Sequence, residues 1–384
     1  MPMLGSMERS SRQHAPDAAR DRGVVNYPTM FTSKSIEFLK QLLDTPGPSG
    51  FEGAPAKVWR AEASKFAEVT ADVAGNSMAV VNPGGSPTIM LAGHIDEIGV
   101  IVTYIDDDGY AYIGPIGGWD PQVLVGQRIR FSGRRGDVLG VVGKIPIHII
   151  RPEDREKGAR MRDLWVDVGA RDKKECLTML SVGDPGVIDA RAIELPNSRI
   201  ASRSIDNRIG AFTVLEALRR YAEKPGKAKV VAVATAQEEI AYHGGGALVG
   251  AAALRPQVAI VVDVTFAIDH PNIEKKEHGE AKLDGGPVLT RGAVISPVVF
   301  GLLRDVAERK KIPFTVHAAG RDTGTDADAI HIAREGVATG LVSIPNRYMH
   351  SPSEIISLHD VNNVAELIAG TCRTITSKTD FTAR

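Results

Sequence analysis

Apolar residues at Ile36, Leu39, Leu42 and Leu43 recur at three- and four-residue steps, which predicts a helix over 33–43. The run TPGPSGFEG breaks it with proline and glycine, and a second helix is predicted over 54–66. Short strands are expected at 78–81 and 88–92, the latter running straight into Gly93-His94-Ile95-Asp96. From about Gly99 the texture changes. Ile101, Val102, Tyr104, Tyr110, Tyr112 and Ile113 flank an Asp106-Asp107-Asp108-Gly109 turn, a hairpin signature. Further β-like pieces at 128–131, 138–145 and 164–168, with frequent turn signals, predict a small β domain ending near Pro196. After Ser204, helix and strand alternate. Helices are predicted at 209–221, 298–310 and 361–374, the last with Asp360 as its N-cap, and apolar strands at 228–235, 258–264, 314–318 and 340–344. Continuous apolar strands between helices require a sheet covered on both faces. The strand before His94 has the same character. The β domain (99–196) therefore reads as an insertion into one α/β domain (32–98 and 197–384), behind an N-terminal extension (1–31).

Composition narrows the function. Lys and Arg total 46 against 47 Asp and Glu, a net charge of −1, which gives no electrostatic reason to expect nucleic acid or an anionic membrane surface as partner. Aromatics at 5% further weaken any base-stacking role. The two cysteines, Cys176 and Cys372, form neither a disulfide framework nor a zinc motif, so a reducing, cytoplasmic setting is expected. No apolar run reaches the ~18 residues of a spanning helix. The first thirty residues lack the apolar stretch of a secretory signal, and Glu8, Asp17 and Asp21 argue against an organelle transit peptide.

Five short stretches carry the candidate chemistry: Gly93-His94-Ile95-Asp96, Ser204-Ile205-Asp206-Asn207-Arg208, Gln237-Glu238-Glu239, Val262-Asp263-Val264 and Tyr348-Met349-His350-Ser351. Most lie at or past the end of an apolar strand, where open α/β sheets place ligands. Two histidines with surplus carboxylates suit divalent metals such as Zn²⁺ or Co²⁺. A pair of ions needs a shared carboxylate and further ligands for each. Asp206 with His94, Asp263, Glu239 and His350 meets that need and leaves Glu238 over. Neighbours on an extended chain point apart, so Glu239 can bind metal while Glu238 moves a proton. The His94-x-Asp96 spacing puts both side chains on one face, where Asp96 can fix the imidazole tautomer. Each residue has a plainer reading: His94 as a loop residue, the Glu pair as solvated surface, Asp206 as a helix cap. Asp263 is harder to explain so, because an unpaired charge inside an apolar strand is costly.

The ordered set GHIDEIG, PIGGWDPQVLVGQR, SIDNRIGA, QEE, DVT and GTDADAIHIAREG…SIPNRYMHSPSE resembles the M42 family of dinuclear metallo-aminopeptidases, relatives of the glutamyl, leucyl and lysyl enzymes and of the tetrahedral TET particles. The likeness covers 35–375. It implies a phosphorylase/hydrolase-like three-layer α/β catalytic domain with an inserted β-barrel-like dimerisation domain. It implies two divalent ions per subunit, one held by His94 and Asp263, the other by Glu239 and His350, with Asp206 bridging. Glu238 would be the general base and acid and Asp96 the partner of His94. Short peptides with a free N-terminus would be the substrates, and homo-oligomers (dimers, extending to a dodecamer) the assembly. One stretch departs from the family pattern. After QEE the family usually runs through VGLRGA, whereas this chain has Ile240-Ala241-Tyr242-His243-Gly244-Gly245-Gly246-Ala247. That change bears on substrate preference, with His243, Thr325, Arg347 and Tyr348 as further pocket candidates. Three other functions remain open: a two-metal amidohydrolase on a small dipeptide-like substrate, an endoglucanase-type glycoside hydrolase using paired carboxylates, and a non-catalytic assembly protein.

Overall fold

The computed structural model describes residues 30–152, 157–241 and 244–382. The expected extension up to residue 29 and the pocket candidate His243 lie outside the described residues.

The apolar runs form the centre of an eight-stranded sheet. Its order is Glu68–Ala71, Ser77–Val81, Lys229–Thr235, Thr88–His94, Val258–Phe266, Ala338–Asn346, Val288–Gly292, Thr315–Ala319. The four central strands, Lys229–Thr235 through Ala338–Asn346, are mutually parallel, so their carboxyl ends share one edge of the molecule. Nearly every residue of these strands is buried, as strands covered on both faces must be. The helices Ile205–Glu223, Pro297–Lys310 and Leu358–Thr374 pack together on one side, and Gly245–Leu254 packs with Asp326–Ile330 on the other. This gives the three layers expected. Gly93 marks the closest approach of helix to sheet, because a Cβ there would stand 2.5 Å from the carbonyl carbon of Gly210.

Between Thr88–His94 and the later strands, the chain closes a six-stranded barrel. Gly99–Ile105, Ala111–Ile116, Trp165–Asp167, Gly136–Gly143, Arg128–Gly133 and Pro185–Ile188 pair in that cyclic order. The barrel has its own apolar core around Val102, Ile129, Phe131 and Val166. Cys176 is buried in this core and Cys372 in that of the main sheet; both are free thiols. The aspartate-glycine hairpin forms as the pattern predicts. One short helix, Lys173–Met179, interrupts the β texture, capped by Asp172, which accepts from the N–H of Glu175.

Two local expectations need correcting. Asp360 is not a helix cap. Ser357 takes that role, its hydroxyl accepting from the N–H of His359, and the helix starts at Leu358. Asp360 lies inside the first turn and accepts from the N–H groups of Asp284 (2.8 Å) and Gly286 (2.7 Å). Burial pushes its carboxyl up to about 7. The helix predicted from 209 begins at Ile205, with non-helical backbone at Asp206 and Asn207.

Beneath the carboxyl ends of the central strands lies a buried polar knot. The Arg208 guanidinium, fully enclosed, donates to the carbonyl oxygens of Leu42, Leu43, Thr45, Gly47 and Ile95, and to Oε1 of Glu97 at 2.8 Å. Arg203 takes the other oxygen of Glu97. One carboxylate thus bridges two buried guanidinium groups, and together they join the first helix, the strand exit at Ile95 and the helix that carries Asp206. Removing one partner of such a pair leaves an uncompensated charge. Glu97→Ala should therefore lower unfolding free energy by about 3 kcal/mol or more in urea titration, whereas Val73→Ala, at a fully exposed position, should stay within ~0.5 kcal/mol.

Candidate active site

His94 is the last residue of its strand and is buried. The neighbouring strand reaches the same level at Thr235, paired in register with His94. The chain then turns through Gln237 (φ 64°) and presents Glu238 and Glu239. Asp96 fixes that turn, its two oxygens accepting the N–H groups of Glu238 (3.2 Å) and Glu239 (3.0 Å). Asp96 also faces Nδ1 of His94 at 3.2 Å, without the alignment of a proper hydrogen bond. It is thus a hub for the glutamate loop and for the imidazole together.

Asp206 does not cap its helix. Asn207 does the local work: Oδ1 accepts from the N–H of Gly210 (3.0 Å) and Nδ2 donates to the carbonyl of Val262 (2.8 Å). Asp206 is left free to face both histidines, with Oδ1 3.2 Å from Nε2 of His94 and Oδ2 3.3 Å from Nε2 of His350. On one side, Glu238 Oε2 lies 3.6 Å and Asp263 Oδ1 4.0 Å from Nε2 of His94. On the other, Glu239 Oε2 lies 3.5 Å from Nε2 of His350. The seven residues given metal-holding or proton-moving parts in the sequence reading, His94, Asp96, Asp206, Glu238, Glu239, Asp263 and His350, converge on one place.

The acid that holds this arrangement was not singled out. Glu354, buried at the head of the strand Glu354–Ser357, accepts from the N–H of Asp206 (2.9 Å) with one oxygen and from that of His350 (2.8 Å) with the other. It fixes the spacing of the backbones that carry the shared aspartate and the second histidine, across a turn where Tyr348 and His350 both adopt left-handed φ (63° and 59°). An acid at the start of the apolar run Ile355-Ile356 was the available signal. The barrel also reaches the site. A Cβ on Gly118 would stand 3.4 Å from Nδ1 of His350, and one on Gly117 3.4 Å from Oε2 of Glu239.

Burial dominates the electrostatics. It raises the carboxyl pKa of Glu238, Glu239 and Asp263 well above the usual range; the His94 imidazole opposes the rise and neighbouring carboxylates add to it. Asp206 goes the other way. Burial would raise it, but the two imidazoles hold it well below the usual carboxylate range. Burial alone would lower His94, yet Glu238, Asp96 and Asp206 hold it well above its ordinary value.

This donor set suits divalent cations. Groups of His94, Glu238 and Asp263, and of His94, Asp206 and Glu239, each bring their ligand atoms within 4.8 Å of one another. Oε1 of Glu239 is buried without a hydrogen-bond partner. Mixed imidazole and carboxylate donors match borderline metals.

The site opens into a cavity of about 1430 Å³. Thr325 lines it. Arg347 does not; it is a strut to Asp269 (2.7 Å). Tyr348 is half exposed, against the ring of His270. The glycine run fits tight quarters: a Cβ at Gly246 would lie 2.2 Å from Oδ1 of Asn76 and 2.7 Å from the N of Ala236. Ile240, Ala241 and Gly244 from this loop form part of the cavity wall.

Comparison with known proteins places the chain in a family. The chain is similar to lysyl aminopeptidase of Pyrococcus furiosus, 38% identical over 336 residues, covering 86% of this chain and 94% of that one. Its fold matches the TET aminopeptidase from the marine sediment archaeon Thaumarchaeota archaeon SCGC AB-539-E09 with a TM-score of 0.85 at 32% identity, covering 90% and 97% of the two chains. It also matches the TET1 peptidase of Pyrococcus horikoshii, which can assemble into a tetrahedron or a large octahedral shell, with a TM-score of 0.77 at 29% identity over 88% and 98%. Residues 75–367 match the family described as M42 glutamyl aminopeptidase, and the chain therefore belongs to the M42 family of aminopeptidases.

Proposed function

We propose that the chain releases the N-terminal residue of short peptides with two divalent cations, Zn²⁺ or Co²⁺, in the described site. The observation that carries this reading is Asp206, which offers one oxygen toward each of two histidines with Glu238 beside them. His94 and Asp263 would hold one cation, Glu239 and His350 the other, and Asp206 would serve both. When bound, the cations polarise the scissile carbonyl and lower the pKa of water.

The chain's own groups then do the following. Asp96 keeps the His94 ring oriented and the glutamate turn in place. Glu238 takes a proton from the attacking water as its oxygen bonds to the carbonyl carbon. The same carboxyl returns the proton to the leaving amine nitrogen as the C–N bond breaks. The raised pKa of Glu238 suits a group that both accepts and donates.

The exposed apolar side chains Leu139, Val141, Ile147 and Ile149 on the barrel support a homo-oligomer built through that surface, and the similar TET1 peptidase of Pyrococcus horikoshii assembles into shells. The two free, buried thiols support a cytoplasmic setting. The altered loop beside Glu239 keeps a two-metal amidohydrolase on dipeptide-like substrates as the second reading, and rates on acylated amino acids and dipeptides against longer free peptides separate the two.

Three outcomes test the proposal. A chelator should abolish release of the N-terminal residue from di- to hexapeptides, and added Zn²⁺ or Co²⁺ should restore it; activity that survives chelation would remove the metal. Glu238→Gln should retain bound metal by elemental analysis while kcat falls at least about 100-fold. Glu354→Gln replaces one accepting oxygen by an amide, so one of the two N–H groups loses its partner; metal affinity in a competition titration should drop by about 10-fold or more.

A further inference from the structure

The cavity is larger than a first residue needs, since pockets for whole small ligands run to about 300–1,000 Å³. Its floor can be traced along the sheet. Asp263 pairs in register with Ser343, and Ser343 with Val288 on the next strand. Thr290, two residues on and so on the same face, pairs with His317 on the edge strand. Asp263, Ser343, Thr290 and His317 all line the cavity. The track therefore crosses three strand spacings, about 14 Å at ~4.8 Å each. An extended peptide covers that span in about four residues at ~3.4 Å each.

The distal end has its own chemistry. His317 is exposed on the edge strand and Arg321 lies on the loop that follows; both are hydrogen-bond donors at the cavity mouth. The acids nearby are mostly engaged. Asp326 accepts from the hydroxyl of Thr235, and Asp328 from the N–H groups of Thr323 and Gly324. Asp322 remains on the same rim as a competing charge.

Resting on the reading of the site as an aminopeptidase, we propose that this floor is a main-chain track for the substrate beyond its first residue. His317 and Arg321 receive the terminal carboxylate of a peptide about four residues long. The enzyme is then a finisher of short peptides rather than a trimmer of long chains.

The test compares kcat/KM for di-, tetra- and hexapeptides of one repeating residue, each as free acid and as C-terminal amide, on the full-length metal-loaded enzyme. The acid-to-amide ratio should be near one for the dipeptide, about tenfold for the tetrapeptide and small again for the hexapeptide. His317→Gln and Arg321→Gln should each cut the tetrapeptide ratio to about threefold or less, and Asp322→Asn should widen it. Val73→Ser, on exposed surface far along the chain, should leave the ratio where it was. Thermal melts that match the parent exclude misfolding as the cause of a change. Equal acid and amide rates at every length, or variants that slow acid and amide alike, overturn the track. Failure to release an N-terminal residue from any peptide sinks the parent reading, and the track with it.

Discussion

Four carboxylates, those of Asp206, Glu238, Glu239 and Asp263, crowd around two imidazoles at the end of a sheet whose central strands are mostly apolar. Two like charges 4 Å apart repel by about 4 kcal/mol at an effective dielectric of 20. A few such pairs rival the whole stability of a domain, about 5–15 kcal/mol. The cluster must therefore hold protons or cations. The upward shift of three of its acids is the proton answer, and a donor set that could hold a divalent cation is the other.

Everything around the cluster serves to keep it from relaxing apart. Asp96 pins the glutamate turn from below, Glu354 ties the backbones of Asp206 and His350 from the side, and Asn207 relieves Asp206 of capping its own helix. Deeper still, Glu97 and two arginines lock the first helix to the strand exit. The layers differ in kind. The inner ring offers lone pairs inward, and the outer ring spends its oxygens on backbone N–H groups.

Much of this was legible beforehand, and the limits have physical causes. Continuous apolar strands announced the covered sheet, and the hairpin signature with short β-like pieces and recurring turns after Gly99 announced the small β domain. Asp263 was legible because an acid inside an apolar strand has few innocent explanations, and the other inner residues because they recur with it at or past strand ends. Glu354 and Arg208 were not, because most of their partners are backbone groups, which leave no trace in a side-chain pattern. The strand Val288–Gly292 passed unnoticed because Thr290 and Arg291 break its apolar run. Asp360 misled because an acid near a helix start satisfies the capping rule whether its oxygen reaches its own helix or, as here, a neighbouring loop.

The turn of Gly117 and Gly118 belongs to the barrel yet abuts Glu239 and His350. The two halves of the molecule thus share a wall. A chain shortened by excising the insert could keep its sheet, its helices and all six inner side chains, and still lack the surface against which two of them rest. The insert is thus masonry of the cavity wall as well as a barrel with an apolar core of its own.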